Sequence, residues 1–536
     1  MKLLKVLFVA AIVVAIAAPT FAAVQNIKVS GSIEERAIYI NNFDLRNKTE
    51  ESTTRRLAAI GTPVGSGASI NEDQESFILS TVHVGVDSDL TDNVSASVLL
   101  SNQGQWGQTG AFNNVNVNKA FITLKEFFYQ PLTVKVGRQD LKFGSGFIIG
   151  PGIYRDPNAT FPAPRVDARM DRFTFANNAA MPISGPLGLQ YTDATYYDAI
   201  RATLDLDPWT VDTIYSKITE TGTAATDINL AGINVAYKFD QYDAKAEAYY
   251  FYKDDPALNS DMGLIDDVDF NVVGVNGFVN DNTVPGVGAR TYNREQTHVF
   301  GMRGDIIPVE NLSLTGEGAV QWGDLEDDMG PWNASTRGSG VGPLDRNILA
   351  WAITGSGNYI WKDSTYKPNF GLGVEYLSGE SAGNDGKWNA WDPMFRGNSL
   401  SMIRGYQGGE QASLNAIGGN IYRTLDDNDP SGSTDAITLY VDGGLKPMAD
   451  LSLKARYLHF WTAQSDSIGR TGGNNRSRNL GDEVDTVLLY DYTEDVQFDL
   501  TGGVFIPGSF YDDNNDAVTV STAPAVIVTG GVKVAF

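Results

Sequence analysis

Charged side chains recur at alternate positions inside otherwise apolar runs. Lys135 lies between Val134 and Val136, Arg201 between Ile200 and Ala202, and Glu375 between Val374 and Tyr376. Arg303 and Asp305 alternate with Phe300 and Met302, and Glu317 and Gln321 sit opposite Leu314 and Val320. Lys454 and Arg456 are set against Leu453 and Ala455, and Glu483 and Asp485 against Val484 and Leu488. A period of two belongs to strands whose faces meet different environments. In a soluble sandwich the polar face meets bulk water, whereas in a membrane barrel it lines an interior. Charges at mid-strand depth on so many strands favour the interior. A barrel of this size encloses water, so the charges need not be buried dry. The chemistry they offer is contact with a hydrophilic solute in transit. Singly, each also suits an ion-pair lattice that stiffens the wall.

Other chemistry is poorly supported. The 536 residues contain no cysteine, which excludes disulfides and thiolate metal sites. His83, His298 and His459 fall on three separate strands without metal-ligand spacing, so no metal centre is expected. No Gly-x-Ser-x-Gly elbow is present, and no catalytic residues are assigned. A formal net charge of −25 argues against nucleic acid as a partner. Acidic clusters at Asp254-Asp255, Asp266-Asp267, Asp324 to Asp328, Asp426 to Asp429 and Asp512 to Asp516 have oxygen-rich character suited to calcium. None carries the distal Glu of a full calcium loop, so solvated loops are expected and no cofactor is assigned.

The elements that carry these residues follow from the ends and the turns. Residues 1–22 read as a secretory signal: Lys2 and Lys5, the apolar run Leu7 to Ala18, then Thr20-Phe21-Ala22. No later stretch has the length of an apolar transmembrane helix. If residues 23–536 sit in a membrane they do so as a closed barrel, the other architecture that satisfies every backbone polar group. The last strand, Ala525 to Phe536, alternates strictly and closes on an aromatic, as expected of a strand that pairs with the first and is read by the barrel assembly machinery. Short turns at Asp87 to Asn93, Tyr129-Gln130-Pro131, Asp207-Pro208, Asp240-Gln241-Tyr242, Pro308 to Asn311, Lys362 to Lys367, Lys446 to Asp450 and Tyr492 to Asp495 alternate with long connections. That asymmetry marks outer-membrane barrels, with short periplasmic turns and long extracellular loops. The expected fold is all-β, a transmembrane antiparallel β-barrel of about 18 strands in the bacterial outer membrane. Two connections are large, residues 144–195 and 378–434. The first is dense in Arg, Asp and Pro, which suits a constriction folded into the lumen.

Several segments resemble the alginate-export family of outer-membrane barrels. LTVKVGRQDLKFGSG at Leu132 to Gly146 is similar to the family's fifth-strand signature, with Gly137, Arg138 and Gln139 at the strand end. YYDAIRATL at Tyr196 to Leu204, NLSLTGEGAVQWGD at Asn311 to Asp324 and GVEYLSGE at Gly373 to Glu380 follow in the family's order. LGDEVDTVLLYDY at Leu480 to Tyr492 and GGVFIPG at Gly502 to Gly508 complete the set. The resemblance implies an eighteen-stranded passive channel for an anionic polysaccharide; it adds Arg138 to the wall residues by motif and also covers Arg201, whose DAIR segment matches a family strand. The family's exporter has an arginine-rich constriction. Here inward acids and bases look balanced, so the barrel carries over better than the solute.

Three functions fit these features: an exporter of an acidic polysaccharide or oligosaccharide, a general or sugar-selective porin for small hydrophilic solutes, and a surface receptor or adhesion barrel. Inward charge favours the first two. The length of 378–434, enough for an external cap, favours the third.

Overall fold

The computed structural model describes residues 26–42, 74–107, 115–150, 197–219, 228–255, 294–325, 346–379, 387–392, 394–396, 400–403, 435–464, 477–512 and 523–536. The signal segment 1–22, most of the large connections, and the acidic clusters at 266–267 and 426–429 lie outside the described residues, as do 326–328 and 513–516.

Long alternating segments become strands: β1 (Asn26–Asn41), β2 (Gln74–Thr91), β3 (Val94–Gln105), β4 (Asn116–Leu124), β5 (Leu132–Gln139), β6 (Tyr197–Asp205), β7 (Trp209–Thr219), β8 (Ile228–Phe239) and β9 (Ala244–Asp255). They continue as β10 (Glu295–Val309), β11 (Leu312–Leu325), β12 (Arg346–Ile360), β13 (Asn369–Leu377), β14 (Lys387–Trp388), β15 (Ala436–Met448), β16 (Leu451–Thr462), β17 (Asn479–Asp491), β18 (Val496–Pro507) and β19 (Ala525–Ala535). Each stave pairs antiparallel with its sequence neighbours, and β19 pairs with β1. The exception is the two-residue β14, which lies parallel to the start of β12 and leaves β13 to pair directly with β15. The wall is therefore a closed antiparallel barrel of 18 strands.

Strands outrun their apolar alternation. The turn expected at Asp87 to Asn93 is shorter, because β2 continues to Thr91 with Asp87 opposite Ser97 and Asp89 opposite Ser95. Polar inward residues keep the ladder going where the apolar signal has stopped.

The two faces separate as a lipid-facing wall requires. Ile33, Val98, Ile122, Ile200, Leu314, Leu372 and Leu500 stay exposed on the outer face. Such a surface is an anomaly in water and a necessity in lipid. Exposed aromatics bound this band. Trp209, Tyr242, Trp361, Tyr366, Tyr492 and Phe536 lie toward the short turns, and Tyr39, Trp322, Trp351 and Tyr457 toward the long connections. They form the two interfacial girdles of an outer-membrane barrel.

Closure depends on contacts between the two ends of the described chain. Gly31 donates its N–H to the Phe536 carbonyl at 2.8 Å, and Phe536 returns the bond at 2.9 Å. On the lumenal face the Arg36 guanidinium binds Asp499 of β18 through two nitrogens, at 2.7 and 2.6 Å, and donates to Thr529 at 2.8 Å. This buried pair crosses β19 directly over Gly531, where an added Cβ would come within 2.6 Å of both the guanidinium and the carboxylate. Only glycine leaves room for an ion pair that ties β1 to β18 across the last strand.

Arg36→Ala strands the Asp499 carboxylate in a closed site, a loss of roughly 3–5 kcal/mol for a buried pair. The heat-modifiable band of the folded barrel should convert to the unfolded position at a lower temperature on gels. Gly531→Ala, which pushes the two groups apart without removing either, should fall between this variant and the parent.

Candidate functional site

After β5 the chain does not leave the barrel. Asp140–Gly150 turns into the lumen, and Leu141, Phe143, Phe147, Ile148 and Ile149 are buried there. An apolar run inside a wide, wet barrel must find apolar partners. The inward faces of β6–β13 supply them, with Leu230 and Phe251 beside the small residues Ala199, Ala319, Ala350 and Ala352. Gly144 begins the inward bend with φ +59, a conformation that favours glycine, and a Cβ there would strike the Glu317 carboxylate.

The described parts of the second large connection, 387–392, 394–396 and 400–403, also lie inside the wall rather than forming an external cap. Trp391 stacks on Phe147 at 5.7 Å, and Met402 and Ile403 pack against Ile38, Leu79, Leu458, Phe505 and Ile527. The two segments join through a parallel bridge, Ile149 to Phe395. Phe395 donates to the Ile148 carbonyl and Gly150 to the Phe395 carbonyl, both at 3.0 Å. The Tyr197 hydroxyl donates to the Gly150 carbonyl at 2.9 Å.

Wall carboxylates hold this assembly by accepting its main-chain N–H groups. Glu247 accepts from Gly144 and Glu317 from Ser145, each at 2.9 Å. Glu483 accepts from Met402 and Ile403 at 2.8 Å each, and Asp485 from Met402 at 3.2 Å. Glu375 takes both terminal nitrogens of Arg396, and Arg456 pairs with Asp442 while donating to the Leu400 carbonyl at 2.9 Å. Gln321 clasps Asp392 twice, through the Asp392 N–H and carbonyl. The Lys253 ammonium reaches Asp392 at 2.5 Å and Glu295 at 3.0 Å. Burial alone would raise the Asp392 carboxyl, yet Lys253 and the Met394 N–H hold it below its ordinary value.

The residues expected to line a path therefore divide into groups. Glu317, Glu375, Arg456, Glu483 and Asp485 are inward but buried, and they fasten the inserted segments. Arg201 faces inward, bound to Asp212 at 2.8 Å and lying over Phe143. Arg303 is inward and engaged by Asp305 and Glu317 at 2.6 and 3.4 Å. Lys135 and Lys454 are half-buried on the inward face, and neither forms an ion pair among the described residues. Lys135 rests over the Phe121 ring at 4.5 Å.

Arg138 does not line the lumen. It follows Val136 on the outer face and pairs with Asp198 through two nitrogens at 2.9 Å each. The motif that suggested it carried no parity, whereas the period of two already placed residue 138 with Val134 and Val136 outside. Sequence reasoning missed Glu247, Lys253 and Lys119, although Glu247 alternates with Ala246 and Ala248 in the same manner as the residues it found. His298 is outward as well, stacked on Trp322 at 5.5 Å and bonded to the Tyr250 hydroxyl at 2.7 Å.

A lipid-facing band, a charged lumen and segments folded across it define an outer-membrane channel. The chain belongs to the alginate-export family, whose model, described as alginate export, matches residues 27–522. Several solved Pseudomonas aeruginosa outer-membrane proteins have a similar course at low identity. OpdO is 9% identical with a TM-score of 0.48, over 96% of this chain and 98% of that one. OpdL is 11% identical with a TM-score of 0.47, over 95% and 99%. OccK2 (OpdF), solved in complex with glucuronate, is 9% identical with a TM-score of 0.45, over 96% and 98%. Comparison with curated proteins finds no match.

Glu483→Ala removes the acceptor of the Ile403 N–H and leaves the Met402 N–H to Asp485 alone, and a buried unsatisfied donor costs about 1–3 kcal/mol. Single-channel recordings should show higher and noisier conductance with gel migration of the barrel unchanged. Glu483→Gln, which keeps one carbonyl oxygen, should stay near the parent.

Proposed function

We propose that the protein is a passive channel for a hydrophilic anion, an acidic polysaccharide or oligosaccharide of the uronate type. The observation that carries this reading is the placement of Lys135 and Lys454. Each is the fourth residue of its strand counted from the short-turn end, and β5 and β16 lie nearly opposite in the ring. Lys135 is paired in register with Arg201, and Lys454 shares its face with Arg456 and Lys446. Two basic patches thus face one another at similar depth. Arg201 and Arg456 are themselves paired with Asp212 and Asp442, and the inward carboxylates are largely engaged by partners or by main chain, so among the described residues the lysines carry the charge left for a solute.

Charges in a narrow aqueous path with low-dielectric walls act through a focused field, so a few there outweigh many at the surface. The net charge of −25 repels anions at low salt. Screening weakens that repulsion once the Debye length falls to about 10 Å or less. A mild anion preference at high salt follows. Family membership supports a channel without identifying the solute, and a general or sugar-selective porin is the competing outcome.

In planar bilayers at high salt the anion-to-cation permeability ratio should exceed one. Lys135→Gln combined with Lys454→Gln should bring it to one or below, while Arg138→Gln, on the outer face, should leave it unchanged. Indifference to the paired lysine substitution, with neutral sugars passing as readily as uronates, would favour the porin.

A further inference from the structure

The inserted segments do not cover the wall evenly. The two buried apolar clusters they form draw on β1, β2, β6–β13 and β15–β19. Among the described residues, β3, β4 and β5 contribute to neither. Most inward positions of these three strands are polar, with Leu99 and Phe121 the apolar exceptions and Ser101 buried against Asn118. Ser95 of β3, Thr123 of β4, Lys135 of β5 and Arg201 of β6 form one continuous register row. Ser97 lies one inward position further along β3, opposite Phe121. Lys119 is on the same inward face and pairs with Asp140, at the root of the inserted segment.

We infer that the solute passes the constriction along one side only, against β3–β5, and that this strip is the solute-binding wall. The physical reason is desolvation. Where the inserted segments pack, the lumenal face of the other strands is covered by apolar side chains that exclude water, and a hydrated solute cannot enter that packing. Along β3–β5 the hydroxyls of Ser95, Ser97 and Thr123 offer both donors and acceptors, and the Lys135 ammonium offers a charge seated on the Phe121 ring. Hydroxyls in a row beside one cation match a hydroxylated carboxylate, the chemistry of an acidic sugar. This inference rests on the proposed function only for the identity of that sugar; the location of the path stands apart from it.

The chain has no cysteine, so single cysteines report on one position each. Ser97→Cys and, as a control beneath the inserted segment, Ala350→Cys would be reconstituted in planar bilayers and exposed to a negatively charged methanethiosulfonate reagent. Ser97→Cys should be modified, with conductance falling by half or more, and glucuronate in the bath should slow the modification. Ala350→Cys should be unreactive and its conductance constant. Ala319→Cys, covered by the same cluster, replaces the control if Ala350→Cys fails to fold. Equal modification at both positions, or block at the control with Ser97→Cys silent, overturns the one-sided path. Modification of Ser97→Cys that glucuronate does not slow overturns the assignment of the strip as an acidic-sugar wall. Neither readout uses ion selectivity, so failure of the basic-patch reading is seen separately.

Discussion

The barrel depends on a requirement that lipid imposes on any backbone: each N–H and C=O at membrane depth needs a partner within the protein. A sheet meets that only by closing, and here closure brings together residues nearly the whole chain apart. Main-chain bonds between Gly31 and Phe536 satisfy the seam, and the Arg36–Asp499 pair fixes it from the lumenal side across Gly531. With the register of β1 on β19 set, the parity of every other stave is set too. A slip of one residue in β1 would turn Arg36 toward lipid, away from Asp499, and the apolar residues of that strand toward the lumen.

Closure creates a second problem, because eighteen staves enclose more space than side chains fill. Two segments of chain enter that space, and their main-chain donors need acceptors away from water. Glu247, Glu317, Glu483 and Asp485 provide them from neighbouring and distant staves. Carboxyl groups suit this role because one oxygen can accept from two adjacent N–H groups, as Glu483 does from Met402 and Ile403. Much of the lumen's negative charge is thereby spent on architecture, which leaves the lysines to set the field a solute meets.

Strand count, closure and the membrane environment were legible because a period of two and an asymmetry in connection length are local signals. Inward or outward placement was legible for Arg201, Arg303, Glu317 and Glu483 for the same reason, and it failed at Arg138 where a motif was followed in place of parity. The division of inward charges into anchors and free groups was not legible. Whether Glu483 lines a pore or holds Met402 depends on where a segment some eighty residues earlier in the chain comes to rest. The apolar run Phe147-Ile148-Ile149 was a usable sign of insertion, since three consecutive large apolar residues after a strand end have no reason to face water.

The bridge between Ile149 and Phe395 also joins two segments that lie far apart in the chain. The first inserted segment is synthesised well before its partner, and its anchors come from β9 and β11, while those of the second segment extend to β17. No shorter length of chain than Gly144 through Asp485 contains the complete set of these contacts. The narrowing of the lumen therefore requires most of the wall to be in place. A barrel arrested after its wall has formed but before both segments dock would be a wide, unselective hole in the membrane, and quality control of this protein is in that sense protection of the cell's own barrier.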